Sequence, residues 1–218
     1  MSNLLLIRHG ESEYNANELF TGLHNPPLTQ RGRVQASQMA ASIKDLKPDI
    51  AYTSLLTRAK DTLDIIMVDN GWDKVPLKED AALNERDYGK FSGLQHAEII
   101  KRYGDAQYIK FRRGWNEPIP DGETLKMVYK RVVLYFEVQI LPELRKGNNV
   151  LIVAHGNTLR ALIKHLDGLD DLQIETLEMP LQEVVIYNYE VRIAAKQVRK
   201  TEQPSLPYVT ANTTYLKE

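Results

Sequence analysis

Two short hydrophobic runs, 146 residues apart, have nearly the same neighbours. Leu4–Ile7 and Val150–Val153 are each four apolar residues, and each is followed by one further residue and then by His-Gly. Apolar runs of this length are typical of strands buried on both faces in a sheet covered by helices. Ligands of such sheets bind outside the carboxyl ends of the strands. The pattern therefore predicts that His9 and His155 lie side by side at one binding edge, and its repetition disfavours the alternative of two ordinary strand-end residues.

The remaining pattern predicts helices that alternate with short strands. Apolar positions three and four apart predict helices that run from a Thr29 cap to about Leu46, from about Leu55 to Asp69 after a Ser54 cap, onward from Asp121, and from an Asn157 cap to Gly168. Ile50–Thr53 and Val184–Tyr189 are predicted as further strands. This alternation with short connections favours an α/β fold, with a mostly parallel central sheet flanked by helices.

The stretch at about 81–120 departs from this alternation. It is rich in glycine and aromatic residues, and we interpret it as an irregular and helical insertion above the sheet. No linker or low-complexity tract divides the chain, so we expect one domain over residues 1–218. The polar, proline-containing tail at about 201–218 is expected to be mobile.

Composition narrows the classes of function. Hydrophobic residues make up 43% of the chain and charged residues 26%, a balance typical of a soluble globular protein. A net charge of -1 gives no general attraction to nucleic acid or to an acidic membrane. The absence of cysteine excludes a disulfide framework, a thiolate nucleophile and a cysteine-bound zinc. The chain shows neither the pattern of a signal peptide nor an apolar stretch approaching the ~20 residues of a membrane span, so we expect a cytoplasmic protein.

The residues that follow the first run, Arg8-His9-Gly10-Glu11, suit a phosphate. Arginine offers a planar fork to two phosphate oxygens. A neutral imidazole, with an ordinary pKa of ~6.5, is a competent nucleophile towards phosphorus at physiological pH. Arg58 follows the second predicted strand and points to the same edge if the strands are adjacent, although a solvated helix arginine is the alternative. Glu85 is a candidate general acid–base, the alternative being a surface carboxylate. The five histidines show no chelating spacing, so no metal is expected.

Motifs along the chain extend this interpretation. They are Arg8–Asn15, Phe20–Gly22, Leu28–Gly32, Ser54–Ala59, Leu83–Gly89, Gly104-Asp105, Arg112-Arg113 and His155–Ala161. Over roughly residues 3–190 they resemble the histidine phosphatase superfamily, and within it the cofactor-dependent phosphoglycerate mutases. The first and last motifs mark the superfamily, whereas the Asn-Glu-Arg-x-Tyr-Gly and Arg-Arg segments point to the mutase branch.

The resemblance implies an enzyme that interconverts 3-phosphoglycerate and 2-phosphoglycerate in glycolysis and gluconeogenesis. His9 would carry the phosphoryl group, primed by 2,3-bisphosphoglycerate without a metal. Arg8, Arg58 and His155 would clamp that group, with His155 as a charged partner, and Glu85 would move the proton of the substrate hydroxyl. The other substrate-binding positions implied are Asn15, Thr21, Gly22, Tyr88, His96, Arg112, Arg113, Gly156 and Asn157, of which Tyr88 and the two arginines would hold the carboxylate end.

Three segments depart from the family pattern. Gly93–His96 stands where the family has Gly-Leu-Asn-Lys, so that a mostly neutral imidazole replaces a fixed positive charge. Leu181–Val184 replaces a Thr-Gly-hydrophobic-Pro loop, and the stretch between Arg113 and Asp121 is shorter than in the longer mutases. Two alternatives stay open: a phosphatase of the same superfamily that hydrolyses small phosphate monoesters, and a catalytically silent protein that binds a phosphorylated ligand. In each case we expect a small-molecule ligand and a monomer or homodimer.

Overall fold

Six strands form one sheet in the computed structural model, which describes residues 2–189 and, as backbone, 212–216. The strands are β1 (Ser2–Arg8), β2 (Ile50–Thr53), β3 (Leu77–Glu79), β4 (Val150–Ala154), β5 (Val184–Tyr189) and β6 (Asn212–Leu216). Their order in the sheet is β3-β2-β4-β1-β5-β6. Neighbours from β3 to β1 are parallel, whereas β5 is antiparallel to both β1 and β6. The predicted α/β fold with a mostly parallel sheet is confirmed.

Helices connect the strands and carry the insertion. They are α1 (Glu13–Ala16), α2 (Gln30–Ser42), α3 (Thr57–Asp69), α4 (His96–Tyr103), α5 (Asp105–Arg113), α6 (Leu125–Tyr135), α7 (Leu141–Arg145), α8 (Gly156–Asp167) and α9 (Gln173–Thr176). A π-helical stretch, Phe136–Ile140, joins α6 to α7. Across residues 2–189 and 212–216 the structure contains no helix with the length and apolar character needed to cross a membrane.

Each face of the sheet packs against its own pair of helices. In β1, Leu4 and Leu6 belong to the core shared with α6 and α8, whereas Leu5 and Ile7 belong to the core shared with α2 and α3. All four are at most 1% exposed. Successive side chains of a strand point to opposite faces, so a strand covered on both sides must be apolar at every position. This packing explains the unbroken hydrophobic runs, and it leaves the strand ends as the place for polar groups.

Local signals set some helix ends correctly and others incorrectly. Thr29 caps α2 as predicted, because its hydroxyl accepts a hydrogen bond from the Gly32 N–H at 2.9 Å. The helix ends at Ser42, four residues before the predicted Leu46. The helix predicted from Asp121 begins instead at Leu125, with Thr124 as its cap.

Two predicted caps are wrong, and both residues belong to the binding edge. Helix α3 begins at Thr57 rather than Leu55, and Ser54 contacts His155 instead of capping it. Helix α8 begins at Gly156, so Asn157 lies inside its first turn rather than at the cap position. Both side chains form a hydrogen bond to a residue distant in sequence, Ser54 to His155 and Asn157 to Tyr88. The Ser54 hydroxyl also accepts from the Leu56 N–H at 3.2 Å, one residue before α3 begins.

The stretch 81–120 consists of short helices and turns. It contains two 3-10 turns together with α4 and α5, and its residues Tyr88, Phe91, Ile99, Phe111 and Ile119 form a separate apolar cluster with Phe20. Within the tail at about 201–218, residues 212–216 form β6. The other tail residues lie outside the described part of the chain.

Candidate active site

The two His-Gly strand ends meet, as the repeated pattern predicts. Strands β1 and β4 are parallel neighbours with Arg8 opposite Ala154, so His9 and His155 leave the sheet at the same level. Their ring centroids are 5.0 Å apart. Both side chains are almost fully buried, at 2% and 0% exposure. The sheet register therefore places two imidazoles together in a space with little water.

The hydrogen bonds of His9 define its protonation. Arg58 Nε lies 3.3 Å from His9 Nε2, and a guanidinium N–H can only donate, so Nε2 is the unprotonated nitrogen. The proton is then on Nδ1, which donates to the Gly10 carbonyl at 2.6 Å. Burial holds the pKa of His9 well below its usual value, and the charges of Arg58 and Arg8 lower it further. At neutral pH, His9 thus presents a lone pair on Nε2.

Arg58 links this imidazole to the adjacent loop. It lies in the first turn of α3 and is 1% exposed. Its Nη1 donates to the His24 carbonyl at 2.8 Å and its Nη2 to the Gly22 carbonyl at 3.0 Å. Burial and the charge of Arg8 lower its pKa to about 10, which leaves it positively charged at neutral pH. Each of the three guanidinium nitrogens therefore has a hydrogen-bond partner, and the positive charge of Arg58 lies next to His9.

His155 has different partners. Its Nε2 lies 2.7 Å from the Ser54 hydroxyl, while its buried Nδ1 has no hydrogen-bond partner among the described residues. Burial, followed by the charge of Arg58, holds its pKa well below the usual value. His155 is consequently uncharged at neutral pH, because burial and the neighbouring arginines disfavour a further positive charge. Its role as a charged partner of a bound phosphoryl group stays a prediction.

A cavity of about 340 Å³ opens next to these groups. The sequence-predicted residues that line it are Arg8, Asn15, Thr21, Gly22, Glu85, Tyr88, His96, Arg112, Arg113, Gly156 and Asn157. The other three, His9, Arg58 and His155, are at most 2% exposed. Arg58 connects His9 to the wall residue Gly22 by hydrogen bonds, and the His155 ring lies against that of His9. The structure thus brings every predicted site residue to one cavity and its immediate surroundings.

Glu85 is held on the cavity wall by backbone groups. One of its carboxylate oxygens accepts from the Arg86 N–H at 2.8 Å and from the Asn157 N–H at 3.2 Å, at the start of α8. Its carbonyl accepts from Arg131 Nη2 at 3.0 Å. Its residue exposure is 8%. A carboxylate fixed in this way, with part of its surface on the cavity, is suited to exchanging a proton with a bound ligand.

Asn15 and His96 face the cavity with restricted chemistry. The Asn15 side-chain oxygen accepts from the Ser12 N–H and hydroxyl at 3.1 and 2.9 Å, so its amide N–H groups are the part left for an anion. His96 packs against the rings of Phe20 and Tyr108, with centroids 4.6 and 5.7 Å away. Burial and the charge of Arg112 lower its pKa to about 4. At neutral pH His96 is therefore an uncharged aromatic side chain on the cavity wall. It lacks the fixed positive charge that a lysine would have at this position.

Arg160 is a further residue of the candidate site, and the sequence alone does not predict a role for it. It is 3% exposed and lines the cavity from α8. Its Nη1 donates to the Asn157 side-chain oxygen at 2.9 Å, and its Nη2 donates to the Ile174 and Arg113 carbonyls at 2.6 and 3.3 Å. The three-residue spacing from Asn157 on a helix was the available signal. Its other partners are too distant in sequence to be inferred.

Unpartnered buried nitrogens indicate what the cavity receives. Arg8 Nε, Arg160 Nε and His155 Nδ1 have no hydrogen-bond partner among the described residues. Buried polar groups are rarely left without partners, since each costs roughly 1–3 kcal/mol. Two of these side chains, Arg8 and Arg160, line the cavity, so a ligand with several acceptor oxygens bound there would offer them partners. Within the described residues, no group of three histidine, aspartate or glutamate side chains is placed to hold a metal ion.

The loop that carries His9 is packed directly on helix α2. A Cβ atom added to Gly10 would lie 2.2 Å from the Gly32 carbonyl oxygen, and one added to Gly32 would lie 2.1 Å from the Glu11 carbonyl oxygen. The Thr29 N–H also donates to the Glu11 carbonyl at 2.9 Å. The backbone after His9 is thus fixed by a helix whose own side chains are absent from the cavity wall.

The chain belongs to the histidine phosphatase superfamily: residues 4–198 match its branch 1 family model. Among curated relatives, it is 44% identical to the 2,3-bisphosphoglycerate-dependent phosphoglycerate mutase of Parvibaculum lavamentivorans, over 86% of this chain and 90% of that protein. It is 39% identical to the protein of the same name from Cytophaga hutchinsonii, over 95% and 97% of the two chains.

Proteins of known structure that bear other names have the same fold. Mycobacterial hydrolase 1 superposes with a TM-score of 0.78 at 25% identity, over 89% of this chain and 92% of that chain. The mycobacterial glucosyl-3-phosphoglycerate phosphatase in complex with VO3 superposes with a TM-score of 0.75 at 25% identity, over 87% and 92%.

Proposed function

We propose that this enzyme is a 2,3-bisphosphoglycerate-dependent phosphoglycerate mutase that works through a phosphohistidine on His9. The observation that carries the proposal is the buried, neutral His9 with an unprotonated Nε2, next to buried donor nitrogens that have no protein partner. Among the relatives, those at about 40% identity bear the mutase name. The proposal includes a single domain over residues 1–218, a cytoplasmic location and a monomer or homodimer.

The cavity fits the bisphosphate primer in charge. The arginines on its wall, Arg8, Arg112, Arg113 and Arg160, outnumber the glutamates, Glu18, Glu85 and Glu178. Arg8 and Arg160 each have a buried Nε without a partner among the described residues. When bound, 2,3-bisphosphoglycerate supplies the phosphoryl group that loads His9. Arg8 and Arg58 are the residues that would hold the transferring phosphoryl group, and Arg112 and Arg113 would hold the opposite end.

In the forward half-reaction, the substrate hydroxyl oxygen attacks the phosphorus on His9. A new P–O bond forms while the P–N bond to Nε2 breaks, and Glu85 takes the hydroxyl proton. Charge on the equatorial oxygens is stabilised by Arg8 and Arg58, and by a donor hydrogen bond from His155. His9 then takes the phosphoryl group from the other carbon, and Glu85 returns the proton to the leaving oxygen. This leaves 2-phosphoglycerate and a loaded enzyme.

A phosphatase is the second candidate, and it is favoured by one observation. A structural neighbour at 25% identity bears the name of a glucosyl-3-phosphoglycerate phosphatase. The two reactions share His9 and differ in whether glycerate or water accepts the phosphoryl group. The arginines Arg112 and Arg113 favour the mutase, because the bisphosphate must remain bound while its ends exchange positions.

The test is an assay of 3-phosphoglycerate with and without 2,3-bisphosphoglycerate. We expect 2-phosphoglycerate to form in a primer-dependent way with little free phosphate. Incubation with labelled primer should also give a phosphoprotein that is labile to acid and stable to base. Phosphate release without isomerisation would identify a phosphatase, and the absence of both label and turnover would identify a silent binding protein.

A further inference from the structure

The segment 177–181, between α9 and β5, forms part of the cavity wall. Glu178, Met179 and Leu181 all line the cavity. Two adjacent residues of this segment bind two arginines of the site: the Glu178 carboxylate forms an ion pair with Arg113, and the Met179 carbonyl accepts from Arg8 Nη1 at 2.7 Å. Oxygen atoms of this segment thus bind two arginine side chains that line the cavity.

The position of Glu178 is set by its neighbours. Met179 is 2% exposed and belongs to the core beneath α6 and α8. Before it along the chain, the Ile174 carbonyl is bound by Arg160. With the backbone held on both sides, the Glu178 side chain remains within reach of Arg113 when the pair opens. Its carboxylate is therefore a tethered anion at the end of the cavity that Arg112 and Arg113 form.

We propose that Glu178 is a specificity-determining residue that competes with the carboxylate of the substrate for Arg113. The Glu178 carboxylate and the substrate carboxylate have the same charge and the same geometry towards a guanidinium. A ligand with a second acidic group must displace Glu178, whereas a ligand with a phosphate alone can bind at Arg8 and Arg58 and leave the pair intact. The inference rests on the proposed function in taking Arg113 as the receiver of that second group.

The exposure of the pair makes such a displacement feasible. The Glu178 side chain is 61% exposed and that of Arg113 is 23% exposed. Ion pairs at this exposure contribute little, so their loss changes an equilibrium by only about two- to fivefold. A pair of this strength engages Arg113 and still yields to a substrate. The tethered carboxylate thereby weakens the hold on ligands with two acidic ends, which favours their release and their exchange of ends within the cavity.

The test compares two ligands of nearly equal shape. Glycerol 3-phosphate differs from 3-phosphoglycerate in carrying a hydroxymethyl group in place of the carboxylate. Binding is measured by calorimetry in a His9→Ala background, so that neither ligand reacts. We expect Glu178→Gln to tighten the binding of 3-phosphoglycerate about two- to fivefold and to change that of glycerol 3-phosphate by less than twofold.

Two comparison variants distinguish the loss of the Glu178–Arg113 ion pair from a general change in the charge of the cavity. Glu18 also lines the cavity but has no ion pair with Arg113, so Glu18→Gln should not tighten 3-phosphoglycerate selectively. In an Arg113→Gln background, Glu178→Gln should lose its selective effect, as a double-mutant cycle requires. Equal tightening of both ligands by Glu178→Gln, or the same selectivity from Glu18→Gln, would overturn the inference.

Failure of the inference and failure of the proposed function are distinguishable. If the wild-type enzyme isomerises 3-phosphoglycerate but Glu178→Gln shows no ligand selectivity, the competition is wrong and the mutase function stands. If the wild-type enzyme only releases phosphate while the selectivity is observed, the competition stands and the mutase function is wrong.

Discussion

The ends of β1 and β4 show how the same local sequence acquires two different chemical roles. Both are apolar strands that end in His-Gly, both imidazoles are buried, and both have a pKa held well below the usual value. They differ in their partners: His9 is fixed between the Gly10 carbonyl and Arg58, whereas His155 contacts the Ser54 hydroxyl. The hydrogen bond on one ring nitrogen determines what the other can do. His9 is therefore suited to attack phosphorus, and His155 to support the transferred group.

The largest expected difference between the two strand ends is in the loss of activity when each histidine is replaced. His9→Ala removes the proposed nucleophile and should lower kcat by more than about 10⁴-fold. His155→Ala removes one stabilising donor and should lower it by about 10²–10³-fold. Mutase turnover measures both changes, and labelling with radioactive primer shows whether the phosphoprotein still forms in His155→Ala.

Thermal unfolding of the two variants serves as the control, since both should keep a cooperative transition. Equal losses of activity, or label retained in His9→Ala, would mean that the assignment of the nucleophile to the β1 end is wrong.

The second expected difference is in how much positive charge each strand end contributes to the binding of an anion. Because His155 is neutral, the positive charge at this edge comes from Arg8 and Arg58. Vanadate at 100 times its Kd should stabilise the wild type by about 2.7 kcal/mol, which raises the Tm of a protein of this size by about 5–10 °C. Arg8→Gln should lose most of this shift at pH 8, and His155→Gln should retain most of it. Differential scanning fluorimetry measures the shift, and a complete loss in His155→Gln alone would contradict this division.

The smallest effect is one in which the two ends should behave alike. Each buried histidine is neutral when folded but takes up a proton below pH 6.5 when unfolded, so stability is present above pH 6.5 and is lost as the pH falls towards the depressed folded pKa. Each contributes up to about 1.4 kcal/mol per pH unit to that decline. Urea unfolding between pH 6.5 and 5.5 should show a shallower decline for His9→Gln and for His155→Gln than for the wild type. A wild-type slope in either variant would show that its imidazole is charged in the folded state.

Particular residues show how far the sequence predicts this molecule. The strand ends, the Thr29 cap and the α/β alternation follow from local patterns, because the hydrophobic runs and the capping hydroxyl act within a few positions. The antiparallel direction of β5 does not follow, since an apolar run has no direction. The caps predicted at Ser54 and Asn157 are wrong, because both side chains have partners that are distant in sequence, His155 and Tyr88.

The residues of the candidate site are more predictable from the sequence than the hydrogen bonds and ion pairs between them. The motifs identified residues that the structure brings to one cavity. They did not indicate that Arg160 binds Asn157 and two backbone carbonyls, nor that Glu178 pairs with Arg113. These contacts join α8, α5, α9 and the segment 177–181, and their geometry depends on how these four elements pack.

The contact between Gly10 and Gly32 has a consequence for mutational scanning. Each glycine excludes a side chain because the backbone beside the other lies about 2 Å from where a Cβ would be. Replacing both cannot relieve the overlap, because each change adds an atom to the same crowded space. A saturation library should therefore be depleted at position 32 as strongly as at position 10, although neither glycine lines the cavity. Depletion at such a position would report the fit of two backbones, and it should not be mistaken for contact with the substrate.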